Sequence, residues 1–193
     1  MRKFAITAAI AAAVVSAPAF AAKSGPYLGS GVTHDSFATG GDIEGVGFDG
    51  VGATVFAGYD LAVSESTFVG VEANFDLSSA KAGDDTDYVK LNHQFGLSAR
   101  AGLNLNDSTA LYGRLGFQRA RGTVVDGANK VSESRNGVRF GGGVETLVSG
   151  NIKLRAEYNR THYSLTDAEE AELAPLEGGY NNNQFLLGAV FGF

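Results

Sequence analysis

Ionisable side chains that could pair with one another recur inside the most apolar stretches of this 193-residue chain. Arg and Glu form charge-assisted hydrogen bonds with each other, and such pairing offsets the cost of removing a charge from water. The spacing of these residues places them on one side of the strands that carry them and predicts an interior salt-bridge network. Its members are Glu72, Arg100, Arg114, Arg139, Glu145, Arg155 and Glu157.

A second set of residues could do nucleophilic chemistry. His162 and Ser164 stand two positions apart, so they share one side of a strand, and a His can activate a Ser hydroxyl. The sequence assigns no acidic residue that would orient His162, although Glu169 or Glu170 could fold back from the following loop. We therefore predict no catalytic residues.

The amino-acid composition excludes several other kinds of functional site. The chain has no Cys, which excludes disulfides, Cys-based metal sites and thiol nucleophiles. Its formal net charge is −6, and it has no basic, aromatic-interleaved stripe, so nucleic acid is not an expected partner. The segment GDDTD at 83–87 supplies oxygen ligands but lacks the full spacing of a calcium loop. We predict no cofactor and no metal site, and leave open whether the acidic loops bind divalent cations.

The elements that carry these residues alternate between apolar and polar positions with a period of two, which predicts strands. No segment after the N-terminal region has the ~18 consecutive apolar residues of a membrane-spanning helix. Eight strands are predicted, at 26–34, 50–61, 67–77, 88–105, 109–122, 136–148, 151–163 and 180–193. Short turns at 62–66, 106–108 and 149–150 alternate with long polar loops at 35–49, 78–87, 123–135 and 164–179.

One side of the predicted strands is apolar, and the opposite side holds the Arg and Glu residues. The apolar row of the fourth strand reads Leu91, His93, Phe95, Leu97, Ala99, Ala101 and Leu103, and that of the fifth reads Leu111, Gly113, Leu115 and Phe117. A soluble β-sandwich or lipocalin-type barrel would bury these rows in a core, whereas a membrane barrel would turn them toward lipid. Periodicity alone leaves both architectures open.

The two ends of the chain favour a membrane barrel over a soluble β-protein. Arg2 and Lys3 precede an apolar stretch at 5–15, and an A-x-A cleavage site ends at Ala21, so residues 1–21 are predicted to be a signal peptide and residues 22–193 the barrel. In the last ten residues one row is wholly apolar, and facing water it would be an aggregation hazard. That row is Phe185, Leu187, Ala189, Phe191 and Phe193.

Several segments, taken in order and spacing, form a recognisable pattern. They are YLGSGVT (27–33), VFAGYDL (55–61), FVGVEANF (68–75), LSARAGL (97–103), LYGRLGF (111–117), FGGGVET (140–146), LRAEY (154–158) and LLGAVFGF (186–193). In these the sequence resembles the transmembrane domain of outer membrane protein A and its small eight-stranded relatives. The resemblance implies an all-β fold, an eight-stranded antiparallel up-and-down transmembrane β-barrel that closes between its first and last strands.

The same resemblance implies location and partners. The protein is expected in the cell outer membrane, in contact with outer-membrane lipid and lipopolysaccharide, without the family's peptidoglycan-binding domain. The family's interior charges fall on six of the seven network residues, all except Arg139. The β-barrel assembly machinery is expected to read the last strand as an assembly signal through Phe185, Leu187, Phe191 and Phe193.

The expected function follows from barrel size. An eight-stranded barrel has an interior about wide enough for its own side chains, so the network is expected to plug it. We predict a non-enzymatic protein with a structural, envelope-integrity or surface-interaction role, and a possible external ligand bound through the loops. Two alternatives stay open: a small gated pore, and a lipid-modifying enzyme in which His162 and Ser164 resemble the pair of lipid A deacylases, although Leu165 replaces the Asn that follows Ser there.

Overall fold

The computed structural model describes residues 24–39, 47–83, 87–126, 129–163 and 180–193. Among them no helix is long and apolar enough to cross a membrane. The predicted signal peptide and the predicted loop at 164–179 lie outside the described residues. The strands are β1 (Gly25–Thr39), β2 (Gly47–Ala62), β3 (Thr67–Ser78), β4 (Lys81–Gly83), β5 (Asp87–Asn104), β6 (Thr109–Asp126), β7 (Asn129–Ser149), β8 (Ile152–Tyr163) and β9 (Tyr180–Gly192).

Eight of these strands close into one antiparallel barrel. Around it the order is β3, β2, β1, β9, β8, β7, β6 and β5, and β3 pairs with β5 to complete the circle. The first strand pairs with the last, from Tyr27 opposite Gly192 to Thr39 opposite Tyr180. Closure gives each of these eight strands two hydrogen-bonded neighbours, which a strand in hydrocarbon requires. The predicted barrel and its closure are confirmed.

The ninth strand, β4, is a short addition to the predicted eight. It pairs with β5 where β5 extends past the end of β3, with Lys81 opposite Lys90 and Gly83 opposite Tyr88. The amide of Leu91 also donates to the carbonyl of Ala80 at 3.0 Å. The prediction of a loop over 78–87 is therefore wrong at 81–83, because these residues satisfy backbone groups that β5 would otherwise leave unpaired.

The predicted loop at 123–135 is also wrong. β6 continues to Asp126 and β7 begins at Asn129, and their register holds through Val124 opposite Val131 to Asp126 opposite Asn129. β6 and β7 thus form one long hairpin. Val124, Val125 and Val131 near its tip are β-branched and favour extended backbone, although the surrounding residues are polar. The predicted loop at 35–49 is shorter as well, since β1 reaches Thr39 and β2 begins at Gly47.

Short connections at 63–66, 105–108 and 150–151 lie at one end of the barrel, together with the start of β1 and the finish of β9. We call this the turn end and the opposite end the loop end. Side chains set these turns: Asn106 Oδ1 accepts hydrogen bonds from the amides of Ser108 at 2.9 Å and Thr109 at 2.8 Å. Gly150 has a φ of +50°, a left-handed conformation that favours glycine.

Apolar side chains cover the outside of the barrel. Val51 is 67% exposed, Leu115 61% and Phe117 73%, which is the reverse of a soluble protein and places the predicted apolar rows toward lipid. Leu91 is the exception: it is buried inside, in a cluster with Phe37, Ala80, Ala120 and Tyr163. Its predicted outward position is wrong because a β-bulge between Leu91 and His93 reverses the alternation along β5.

Candidate functional site

Polar and charged side chains fill the barrel interior. The side chains of Arg155 and Glu157 have no exposed surface, and that of Glu72 is 2% exposed. These residues lie on inward rows because β-strand side chains alternate, so the residues between them face the lipid. The interior is therefore a desolvated, ionised core in which every charge needs a partner.

Glu72 on β3 is the centre of the largest group of contacts. Its Oε2 accepts from Arg155 Nη1 at 2.7 Å, Tyr27 Oη at 2.8 Å and Arg100 Nη1 at 3.3 Å. Its Oε1 accepts from Arg114 Nη1 at 2.8 Å. One carboxylate thus connects β3 with β1, β5, β6 and β8 across the lumen.

Glu145 on β7 continues the network toward the turn end. Its Oε1 accepts from Arg155 Nη2 at 2.7 Å and from Arg100 Nη2 at 2.9 Å. Its Oε2 contacts Lys153 Nζ at 3.3 Å, and the Lys153 side chain is 26% exposed. Arg155 therefore bridges Glu72 and Glu145.

Glu157 on β8 completes the group. Its Oε1 accepts from Arg114 Nη1 at 2.9 Å and from Asn159 Nδ2 at 2.6 Å, and its Oε2 lies 3.7 Å from Arg155 Nη1. The hydroxyl of Tyr112 donates to the same carboxylate. Six of the seven residues singled out from the sequence are thus brought together: Glu72, Arg100, Arg114, Glu145, Arg155 and Glu157.

The seventh, Arg139, lies apart and has an acidic partner that sequence reasoning missed. Arg139 Nη1 contacts Asp76 Oδ2 at 3.2 Å, and its Nε donates to Thr161 Oγ1 at 3.0 Å. Asp76 also accepts from Thr54 Oγ1 at 2.6 Å and from Gln118 Nε2 at 3.1 Å. The alternation along β3 contained the signal, since Asp76 follows Glu72 on the same inward row.

Aromatic rings line the lumen around the guanidinium groups, and these were also missed. The Arg155 guanidinium carbon lies 4.1 Å from the ring centroid of Phe56, and that of Arg100 lies 4.1 Å from the ring centroid of Tyr112. Such stacking is favourable to a desolvated cation. Close packing against the wall requires small residues, and a Cβ at Gly58 would collide with the hydroxyl of Tyr27.

Hydrogen bonds from neutral side chains fill the interior near the loop end. Asp35, which is fully buried, accepts from Ser78 Oγ at 2.9 Å, Asn182 Nδ2 at 2.9 Å and Gln184 Nε2 at 3.0 Å. The inward row of β9 thus contributes the side-chain amides of Asn182 and Gln184 to the lumen. Polar groups consequently cross the barrel at several levels between its two ends.

The remaining sequence-selected residues are placed as follows. His162 is exposed on β8, with Nδ1 3.0 Å from Asn181 Oδ1, while Ser164 lies outside the described residues, as does most of GDDTD. In the described part of the chain, no three His, Asp or Glu residues are grouped as a metal site would need. The residues of the predicted assembly signal face outward on or beside β9, with exposures of 40% for Phe185, 50% for Leu187, 45% for Phe191 and 71% for Phe193.

Two proteins named as outer-membrane proteins are similar to this chain in sequence. The 22 kDa outer membrane protein of Rhizobium leguminosarum bv. viciae is 30% identical over 168 residues, which cover 85% of this chain and 75% of that protein. The 25 kDa outer-membrane immunogenic protein of Brucella ovis is 32% identical over 140 residues, 72% of this chain and 67% of the relative.

Solved structures agree with the fold. Neisserial surface protein A matches with a TM-score of 0.64 at 17% identity, covering 88% of this chain and 98% of its own. Ail, the attachment invasion locus protein of Yersinia pestis, matches with a TM-score of 0.62 at 16% identity, covering 89% and 100%. A family model described as outer membrane protein beta-barrel domain matches residues 7–193. The chain therefore belongs to the outer membrane protein beta-barrel domain family and is a protein of the Gram-negative cell outer membrane.

Proposed function

We propose that this protein is a plugged structural barrel, with a role in envelope integrity or surface interaction, and that its interior network closes the lumen. The observation that carries the proposal is the set of contacts made by Glu72 and Glu145. Through Arg100, Arg114 and Arg155 these two carboxylates join β3, β5, β6, β7 and β8 across the barrel axis. Ions in solution would have to displace these pairs to pass.

The energetics support a plug. Ionised groups this deeply buried have lost their hydration, and their mutual attraction offsets that loss only while the whole set stays together. Tyr27, Tyr112 and Asn159 add hydrogen bonds to the same carboxylates. An opening would break several charge-assisted contacts at once, so the closed arrangement is favoured.

Conductance across planar bilayers tests the plug. The purified parent barrel is expected to give no discrete current steps, whereas Glu72→Ala and Arg155→Ala remove side chains from the lumen and are expected to conduct. Glu65→Ala and Arg160→Ala are matched controls, because they remove the same residue types from exposed positions. A folded Glu72→Ala barrel that is as silent as the parent would show that this network does not block the lumen.

A gated pore is the second candidate, and carboxylate sharing favours it. Glu72 contacts three guanidinium groups, and Glu145 contacts Arg100, Arg155 and Lys153. A cation that has two acceptors within reach can exchange one for the other, which is a way to open a path without leaving a charge unpaired. Discrete openings in the parent protein would favour this pore over the permanent plug.

The loops are the proposed place for any external ligand. The crystal structure of Ail contains the heparin analogue sucrose octasulfate, which is a finding about Ail. Here the segment at 164–179 is strongly acidic, so a cationic surface suits it better than a sulfated one. Deleting 168–177 and measuring binding to a cationic peptide and to heparin tests this preference; stronger binding of the parent to heparin would contradict it.

Removal of the signal peptide is the next part of the proposal. Cleavage after Ala21 is proposed for the exported protein, and the intact mass of material from outer membranes tests it.

The protein is also proposed to be non-enzymatic. Release of fatty acid from lipid A by the pure protein, abolished by His162→Ala, would overturn that part.

A further inference from the structure

Three arginines on the outside of the barrel have no partner in the described part of the chain. Arg119 and Arg121 lie on the outer row of β6 and Arg160 on the outer row of β8, and all three are exposed. The described residues offer them neither a hydrogen bond nor an ion pair. The interior arginines differ, since each contacts at least one carboxylate.

These arginines begin where the apolar band stops. Phe117, which is 73% exposed, precedes Arg119 on the outer row of β6, and Tyr158, 50% exposed, precedes Arg160 on that of β8. From Thr109 at the start of β6 to Arg119 is ten residue steps (119 − 109 = 10). At about 3.3 Å a step and a tilt of about 40°, this distance rises about 25 Å, the height of the apolar band of an outer-membrane barrel.

The cross-strand neighbours of the three arginines carry no negative charge. They are apolar residues, or amide, hydroxyl and imidazole groups that can bond an anionic ligand. Arg119 is opposite Phe95 and Asn136, Arg121 is opposite His93 and Ser134, and Arg160 is opposite Phe140 and Asn183.

The charge is also confined to one end of the barrel. Among described side chains, the exposed cations Lys90, Arg119, Arg121 and Arg160 all lie toward the loop end, whereas the exposed turn-end residues include Glu65 and Asp107. Barrels with an even strand number hold both termini and the short turns in the periplasm. The exposed arginines therefore lie at the level of the outer leaflet.

We propose that Arg119, Arg121 and Arg160, which we call the arginine rim, bind the phosphate groups of outer-leaflet lipid, namely the phosphorylated lipid A of lipopolysaccharide. A guanidinium group matches two phosphate oxygens with two parallel N–H donors, and its long stem stays against apolar surface. The acyl chains of the same lipid then lie on Phe117, which precedes Arg119 on the outer row of β6, and on Phe140, which is opposite Arg160. One molecule thus satisfies the charged rim and the apolar wall together.

Titration calorimetry tests the rim with barrels purified from outer membranes in detergent. The probes are bisphosphorylated lipid A and the same lipid after removal of its phosphates. The parent is expected to prefer the phosphorylated lipid about a hundredfold, with a preference that falls as salt is added. The triple variant Arg119→Gln, Arg121→Gln, Arg160→Gln is expected to lose this preference, and each single variant to weaken binding about fivefold.

Matched controls separate the rim from general charge. Lys90→Gln removes an exposed cation at the same end but further from the apolar band, and it is expected to bind like the parent. The triple Arg→Lys variant keeps the charge without the fork and is expected to bind with intermediate affinity. Equal affinity of the parent for both lipids, or an unchanged preference in folded single variants, would overturn the proposal. Competition by inorganic phosphate at the concentration of lipid A would also overturn it, since the rim would then be a site for soluble anions.

Discussion

At the scale of single residues, the loss in free energy of unfolding caused by truncating one charged side chain depends on which of its buried partners remain. Glu72 contacts three guanidinium groups that are buried away from water, and Arg155 connects Glu72 with Glu145. Removing one partner of a buried ion pair is costly chiefly because the others stay buried and uncompensated. Truncation at the centre of the network should therefore be far worse than truncation at the surface.

Glu72→Ala and Arg155→Ala are each expected to lower the free energy of unfolding by about 3 to 5 kcal/mol. Arg160→Ala, on the outer row of the same strand as Arg155, should change it by less than about 1 kcal/mol. Urea unfolding of the barrel in lipid vesicles measures all three. Equal stabilities for Arg155→Ala and Arg160→Ala would contradict the network described here.

The separate pair of Arg139 and Asp76 allows a compensation test. Arg139→Met leaves Asp76 charged without its cation, and is expected to destabilise by about 3 kcal/mol. Adding Asp76→Asn removes that charge while keeping an acceptor for Thr54, so the double variant should be more stable than Arg139→Met alone. The same urea assay measures the coupling, and strictly additive losses would contradict a direct interaction.

At the scale of elements, β9 has two roles because its two rows differ. On its inner row, Gln184 donates a hydrogen bond to Asp35. Leu186 and Val190 of the same row pack in a cluster with Tyr27 and Phe56. Its outer row is apolar to the end, where the rings of Phe191 and Phe193 meet edge to face at 5.1 Å between centroids. The outer row therefore faces lipid in the folded barrel, and we propose that the assembly machinery reads it before insertion.

Phe193→Asp is expected to lower the yield of folded protein in the outer membrane several-fold, since it places a charge on the proposed assembly signal. Val63→Asp is the matched control, because Val63 is an exposed apolar residue of the turn end outside β9. Quantitative immunoblots of outer-membrane fractions compare the two. Similar yields would indicate that the last strand is not read through Phe193.

At the scale of the whole molecule, polarity is inverted relative to a soluble protein. Ionised and amide groups form the interior, and Leu, Val and Phe form the surface. The closed ladder gives each of the eight long strands a hydrogen-bonded neighbour on both sides, so unfolding must break hydrogen bonds between neighbours before detergent can solvate the backbone.

This architecture predicts heat-modifiable migration. In dodecyl sulfate without boiling, the parent barrel should stay closed and run ahead of the boiled protein, while Glu72→Ala should lose the fast form at a lower temperature. Electrophoresis after stepwise heating measures both transitions. Protein that remained monomeric and dissolved without any amphiphile would contradict the outward apolar surface.

The sequence by itself determined the barrel, the strand number apart from β4, and the side on which the seven Arg and Glu residues lie. A period of two assigns each residue to one face and needs no knowledge of neighbouring strands. It could not assign Leu91, because a bulge reverses the faces on β5, nor the end of β6, where polar residues continue a paired hairpin. Only the tertiary structure decided that Glu72 meets Arg100, Arg114 and Arg155 while Arg139 meets Asp76, because contacts across a lumen depend on the register of strands that are distant in the chain.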